Sequence, residues 1–171
     1  MVGKIEKFVK RVDSVSVWTG KMASFLIIPI TLIEGREVIA RYAFDSPTIW
    51  SWELCTMLYA ALFLFGGAWV LQENKHITTD ILYARFSPKV KAYIDIVTYL
   101  CFFCVFVAVV LWQGSIMALD SIKIQETSYT LWAPPIYPSK TMMVFAFVLL
   151  TLQGIAKIIR DLIFVSTGRK I

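Results

Sequence analysis

Four long apolar segments dominate the pattern of the chain, at about residues 18–42, 50–72, 93–113 and 140–165. Each segment has the roughly 20 residues that an α-helix needs to cross about 30 Å of hydrocarbon. Polar residues collect between the segments and at their ends, where water or lipid headgroups would surround them. The pattern therefore predicts one all-α integral membrane domain with four transmembrane helices.

A polar stretch at residues 1–17 precedes the first segment and has a different periodicity. Ile5, Phe8 and Val12 recur at helical spacing, and lysines and an arginine fill the positions between them. This pattern is typical of an amphipathic helix on a membrane surface. A second, short amphipathic helix is predicted over Asp80–Phe86, between the second and third spans.

The composition supports a membrane location and excludes most classes of soluble enzyme. Of the 171 residues, 58% are hydrophobic and 17% are charged, with a mean hydropathy of +0.68. Soluble domains are typically about one quarter charged. A chain of this size exposes a large share of its surface. The excess of apolar side chains is therefore expected to contact membrane lipids.

The net charge of +5 indicates how the chain is oriented. Basic residues number five up to Lys21, four in residues 73–91 and four near the C-terminus, whereas the opposite side carries only Arg41, Lys123 and Lys140. Lysine and arginine are enriched on the cytoplasmic side of membranes. Both termini are therefore predicted to be cytoplasmic.

No motif that reads RNA or DNA is present in the sequence, so nucleic acid is not an expected partner.

Charged residues in and beside the first span form one group of candidate functional residues. Glu34, Glu37 and Arg41 share a helix face because their spacing is i, i+3, i+7. Glu53, near the start of the second span, is expected at the depth of Arg41. We interpret the four as a buried structural ion-pair network, with Arg41 and Glu53 as its main pair. A role in ion or substrate coupling and solvation of a helix end are the alternatives.

The remaining polar candidates give no sign of a cofactor or a metal site. His76 and Asp80 are expected to anchor the short cytoplasmic helix after the second span. A single histidine cannot supply the paired axial ligands of a membrane haem. Cys101 and Cys104 have the spacing of a redox motif but lie within an apolar span, so we interpret them as packed or lipid-facing thiols.

The segments between the spans contain signals for helix starts, and small and aromatic residues within the chain indicate how the helices pack and where they meet the membrane surface. Ser46-Pro47 and Ser87-Pro88 are each predicted to start a span, and residues 114–139 are predicted to form the longest loop. Small residues allow close helix packing, within this chain or against another, and tryptophan and tyrosine favour membrane–water interfaces. The packing candidates are Gly66 and Gly67, and the interface candidates are Trp18, Trp50, Trp52, Trp132 and Tyr137.

Three separated motifs resemble one known family. They are Arg41-Tyr-Ala-Phe-Asp-Ser-Pro-Thr-Ile-Trp50-Ser-Trp-Glu53-Leu, Gly66-Gly67-Ala, and Lys75-His76-Ile-Thr-Thr-Asp80-Ile-Leu. In order and spacing they resemble the small membrane subunit, the Q or DctQ-type component, of tripartite ATP-independent periplasmic (TRAP) transporters. One departure is Trp52, which stands before Glu53 where the family often has a pair of glutamates.

The resemblance implies a non-catalytic subunit in a bacterial inner membrane. In this family a large membrane subunit carries the elevator-type transport domain and the sodium and substrate sites. A periplasmic binding protein delivers the substrate, typically a small organic acid anion, and the small subunit enlarges the fixed scaffold.

Three other functions fit parts of the sequence. A self-contained four-helix exporter could couple to protons through Glu34 or Glu53. A membrane redox enzyme could use Cys101 and Cys104. The chain could also anchor a different complex.

Overall fold

Helices form almost all of the described part of the chain, which in a computed structural model comprises residues 2–73 and 86–168. The helices are α1 (Val2–Ser24), α2 (Ile27–Ala43), α3 (Ile49–Gln72), α4 (Pro88–Thr98), a π-helical turn (Tyr99–Phe103), α5 (Cys104–Lys123) and α6 (Tyr137–Thr167).

Four of the helical stretches are long and apolar enough to cross a membrane: Gly3–Ala43, Ile49–Gln72, Val90–Lys123 and Tyr137–Thr167. The first stretch combines α1 and α2, and the third combines α4, the π-helical turn and α5. This result confirms the prediction of an all-α membrane protein with four spans.

The first span is interrupted between α1 and α2. At the break, the Phe25 and Leu26 amides donate to carbonyls only three residues back, those of Met22 and Ala23. Pro29 follows in the first turn of α2 and has no N–H to donate to Phe25. The proline therefore explains why the regular hydrogen-bond pattern changes here.

The N-terminal half of α1 packs against α6. Val9 and Val12 are buried with Ala156, and Leu152 and Ile159 pack against them. The apolar stripe of the amphipathic stretch at residues 1–17 thus has a partner within the chain. Its position at a membrane surface stays a prediction.

The third span is longer than the sequence analysis predicted. α5 continues to Lys123, whereas the apolar segment was placed at residues 93–113. Its buried positions include Gly114, Ala118 and Ser121, which lie on one helix face. These small residues allow α5 to pack along α6, so the helix does not end where the strongly apolar run ends. The loop is correspondingly shorter, at residues 124–136.

The two Ser-Pro pairs have different outcomes. Ser87 is the N-cap of α4 and Pro88 its first residue, as predicted. The second span does not begin at Pro47, because α3 starts at Ile49 with Thr48 as its N-cap. The Thr48 hydroxyl bonds to a side chain of α2, and this tie fixes the start of α3.

Candidate functional site

Glu37 connects α2 to the start of α3. Its side chain accepts hydrogen bonds from the backbone N–H of Thr48 at 3.0 Å and from the Thr48 hydroxyl. The Thr48 and Ser51 hydroxyl oxygens lie 2.7 Å apart. Glu37 is only 7% exposed, so its charge depends on these donors and on two arginines. This group of residues closes the turn between the first two spans.

Arg36 and Arg41 approach Glu37 from the outside of the bundle. The Arg41 Nη2 atom lies 3.2 Å and the Arg36 Nη1 atom 3.5 Å from Glu37 carboxylate oxygens. Both arginine side chains are more than half exposed. Arg36 also lies over the Trp50 ring, 5.2 Å from its centroid. The arginine end of each pair is exposed and the Glu37 end is buried, so removing both arginines would leave a buried carboxylate with fewer partners.

Glu53 has partners other than the expected arginine. Its carboxylate accepts hydrogen bonds from the Ser128 hydroxyl and, at 2.8 Å, from the Thr130 hydroxyl. Arg41 pairs instead with Glu37 on its own helix. The structure therefore corrects the expected Arg41–Glu53 pair, because the loop after α5 folds back onto α3 and supplies nearer donors.

The loop that carries Ser128 and Thr130 is held in one shape by its own backbone. Thr127 and Pro135 form an antiparallel bridge, and the Ser128 amide donates to the Pro134 carbonyl at 2.9 Å. Gln125 and Ala133 have φ angles of 50° and 46°, in the left-handed region. At its tip, Tyr129 and Leu131 are almost fully exposed.

An ion pair closes the base of this loop. Lys140, in the first turn of α6, donates to the Glu126 carboxylate. This hydrogen bond lowers the pKa of Glu126 below its ordinary value. The sequence did not predict a pair of Glu126 with Lys140, because no local pattern connects a loop glutamate with the next helix.

A polar network joins α1 and α6 at the opposite end of the bundle. Gln153, which has no exposed surface, accepts from the Ser16 hydroxyl at 2.8 Å and donates to Asp13 at 2.9 Å. Arg160 donates to both carboxylate oxygens of Asp13. Each of these four side chains therefore has at least one hydrogen-bond partner.

Lys157 extends the polar network to α4. Its Nζ atom donates to Asp95 at 2.6 Å and to Asp161 at 2.9 Å, and it lies 5.2 Å from the centroid of the Tyr99 ring. Sequence reasoning missed these contacts and those of Gln153. A glutamine within an apolar run was a usable signal, since such a side chain needs a partner in a membrane.

Among the glycines of the described residues, those at close helix contacts are not the expected pair. A Cβ atom at Gly20 would lie 2.6 Å from Trp69 Cβ, and one at Gly154 would overlap the Phe103 ring. At Gly66 and Gly67 a Cβ atom would meet nothing within 4 Å. Gly66 and Gly67 therefore do not make close contacts within the described chain.

The aromatic candidates for interface anchors occupy varied environments. Trp18, Trp52 and Trp132 are exposed, whereas Trp50 and Tyr137 are half-buried. Their location at membrane–water interfaces stays a prediction.

The remaining candidates show no clustering. Cys55 is buried beside Glu34, and Cys101 and Cys104 are exposed. Within residues 2–73 and 86–168, no group of three histidine, cysteine or acidic side chains is arranged to hold a metal ion. His76 and Asp80 lie outside the described residues.

Comparison with known proteins connects this architecture to transport. A sequence model of the family described as "Tripartite ATP-independent periplasmic transporters, DctQ component" matches residues 30–164. A relative from Haemophilus influenzae (strain 86-028NP), the "Sialic acid TRAP transporter permease protein SiaT", is 28% identical over 98 residues. The match covers 57% of this chain and 15% of that permease.

Proposed function

Since the chain belongs to the DctQ component family of tripartite ATP-independent periplasmic transporters, we propose that it is a non-enzymatic scaffold in such a transporter. In this proposal the chain packs beside a large elevator-type membrane subunit and keeps that subunit's fixed part in place. A periplasmic substrate-binding protein docks transiently on the assembly.

The observation that carries the proposal is the way the polar side chains are used. The Glu37, Glu53 and Glu126 carboxylates bind partners at one end of the bundle, and Asp13 and Lys157 bind partners at the other. These contacts connect helices or loops to one another. Side chains engaged in this way stabilise a rigid body, which is the property that a scaffold requires.

The small share of the sialic acid permease that the match covers supports the role of a subunit for this chain. The segment shared with the sialic acid permease is a small fraction of that protein. The transport activity in its name therefore involves far more protein than this segment. We propose that the corresponding function here belongs to a separate large subunit.

We propose sodium-coupled uptake of a small organic acid anion as the activity of the assembly. The relative is named for sialic acid, which carries a carboxylate, and this supports an acidic substrate. In this proposal the substrate and the sodium ions bind to the large subunit and not to this chain.

We propose that the chain lies in a bacterial inner membrane with both termini in the cytoplasm. The charge asymmetry supports this orientation, since thirteen basic residues lie on the side of the termini. Trp18, Trp50, Trp52, Trp132 and Tyr137 would then lie near the two interfaces. His76 and Asp80 would fix the cytoplasmic segment after α3, and Gly66 and Gly67 would face the large subunit.

Co-purification tests the scaffold proposal directly. The tagged chain is expressed in its native host, extracted in mild detergent and analysed for stoichiometric partners. We expect a large hydrophobic membrane protein, and we expect sodium-driven uptake in proteoliposomes to require both chains and the binding protein. A homodimer that exports substrate against protons, and loses this activity on Glu34→Gln or Glu53→Gln, would contradict the proposal and support the exporter.

A further inference from the structure

Three cations form a stripe on the face of α1 that points away from the bundle. Lys4, Lys7 and Arg11 follow the spacing i, i+3, i+7 and are all exposed. Within the described residues, none of the three has a carboxylate within ion-pair distance. Their charge is therefore available to an anionic group outside the chain.

The opposite face of α1 fixes the direction of this stripe. Val9, Val12 and Ser16 are buried, and Ser16 is hydrogen-bonded to Gln153 of α6. One turn further, Gly20 contacts Trp69 of α3. Because these contacts prevent α1 from rotating, the basic stripe faces outward from the bundle.

An apolar groove between α1 and α3 begins where the basic stripe ends. Trp18 lies seven residues after Arg11 on the same helix line, and it begins a groove of about 470 Å³. The groove runs to Leu26 and is walled on the other side by Met57 and Phe65 of α3. A charged stripe and an apolar groove thus follow each other along one helix.

The length of this surface matches one leaflet of a bilayer. From Arg11 to Leu26 there are 15 residues, or about 22 Å of helix. Half of a bilayer with its headgroups measures roughly 20–22 Å. A phospholipid with its phosphate at the stripe would therefore lay an acyl chain along the groove.

We propose that this surface is a binding site for an anionic phospholipid. Lys7 and Arg11 bind the phosphate through charge-assisted hydrogen bonds, Lys4 adds attraction, and the groove holds one acyl chain. The site requires only that the chain lies in a membrane. The large subunit is not needed to form the site, but in the complex it must leave the groove uncovered.

Lipid binding to the full-length chain in detergent tests the headgroup contacts. Phosphatidylglycerol and phosphatidylcholine are titrated separately, and bound lipid is counted by native mass spectrometry. We expect tighter binding of phosphatidylglycerol, and Lys7→Gln/Arg11→Gln should weaken it about thirtyfold at low salt. Lys123→Gln removes an exposed cation at the other end and should leave binding unchanged. Equal binding of the two lipids, or an equal loss with Lys123→Gln, would overturn the proposal.

Brominated acyl chains test the groove. At one brominated phosphatidylglycerol per protein, we expect quenching of tryptophan fluorescence that Trp18→Phe removes and Trp112→Phe retains, since Trp112 is exposed on α5. Quenching that depends on Trp112 would contradict the site. If Trp18 is not quenched in the complex with its large subunit, a protein helix covers the groove and the lipid assignment is wrong.

Discussion

A side chain added at Gly20 would meet Trp69 within 2.6 Å, whereas one added at Gly66 would meet nothing within 4 Å. Both residues are glycines within helices, yet only at Gly20 does packing inside the chain require the absence of a side chain. The contact at Gly20 cannot relax easily because its neighbour is a Cβ atom, which cannot move without its backbone. The surroundings of a single glycine thus show whether it lies at a contact inside the chain or at a surface that no other part of the described chain covers.

We predict that Gly20→Ala lowers the free energy of unfolding by about 1–3 kcal/mol, because the added methyl group overpacks the contact of α1 with α3. Gly66→Ala is the matched control and should cause no loss of stability. Both variants are measured by denaturant titration of the purified chain in mild detergent. Equal stability of the two variants would show that α1 and α3 are not in close contact at Gly20.

We predict that Glu53→Ala releases the loop at residues 124–136, because the Ser128 and Thr130 hydroxyls lose their acceptor. Hydrogen exchange of the Ser128 and Ala133 amides should accelerate at least about tenfold, the lower limit for losing one hydrogen bond to a charged group. Arg41→Ala should leave this exchange unchanged. Faster exchange in Arg41→Ala than in Glu53→Ala would contradict the hydrogen bonds of Glu53 with the loop and support the Arg41–Glu53 pair expected from the sequence.

The sequence located Glu37 and Glu53 as polar candidates but did not identify all of their partners. Periodicity reports which residues share a helix face, so Glu37 and Arg41 could be paired in advance. Ser128 is 75 residues from Glu53 and belongs to a loop. No local pattern predicts how such a loop folds back, and this is why the main ion pair was assigned wrongly.

At the scale of helices and loops, contacts between elements decide where each element ends. The apolar run predicted a third span ending near residue 113, but the small residues Gly114, Ala118 and Ser121 carry α5 to Lys123 by packing on α6. The start of α4 at Pro88 was predictable because a local Ser-Pro signal sets it. Helix ends that depend on a neighbouring helix were not predictable.

We predict that the base of the loop weakens in acid. The pKa of Glu126 is lowered in the folded chain, so its contribution to stability is complete above its ordinary value of about 4.5 and is lost as the pH falls through the lower folded value. The protection factor of the Ile136 amide, whose N–H is bonded to the Glu126 carbonyl, should therefore fall below pH 4.5 once the pH dependence of intrinsic exchange is divided out. Glu126→Gln should have a lower protection factor at pH 7 and show no such fall in acid.

We predict that Asp13 and Arg160 are energetically coupled across α1 and α6. Unfolding free energies of Asp13→Asn, Arg160→Gln and the double variant should give a coupling energy of about 1–3 kcal/mol. The losses of unfolding free energy in the two single variants should add up to more than the loss in the double variant. The reason is that each single variant leaves one polar partner unpaired at a helix interface. Additive effects would show that the contact contributes nothing to helix association.

At the scale of the whole molecule, four spans place the two ends of the chain on the same side of a membrane. The hydrophobic pattern predicted this number of spans, and the helices confirm it. The side on which the ends lie follows from the charge distribution alone and remains a proposal.

Cysteine labelling in intact cells tests this orientation. In a background with Cys55, Cys101 and Cys104 replaced by alanine, we expect Tyr129→Cys to react with an impermeant maleimide added from outside. Gly3→Cys and Ser166→Cys should react only after lysis. Labelling of Gly3→Cys in intact cells would reverse the proposed topology.

The polar contacts at both ends of the first span have a consequence for the choice of membrane. From Asp13 to Glu37 there are 24 residues, or about 36 Å of helix, while a hydrocarbon core is about 30 Å thick. Asp13 is tied to α6 and Glu37 to Thr48, so both ends of this stretch are held by neighbouring elements. A span of this length is expected to cross an average bilayer with some tilt, and a thicker bilayer would require less tilt.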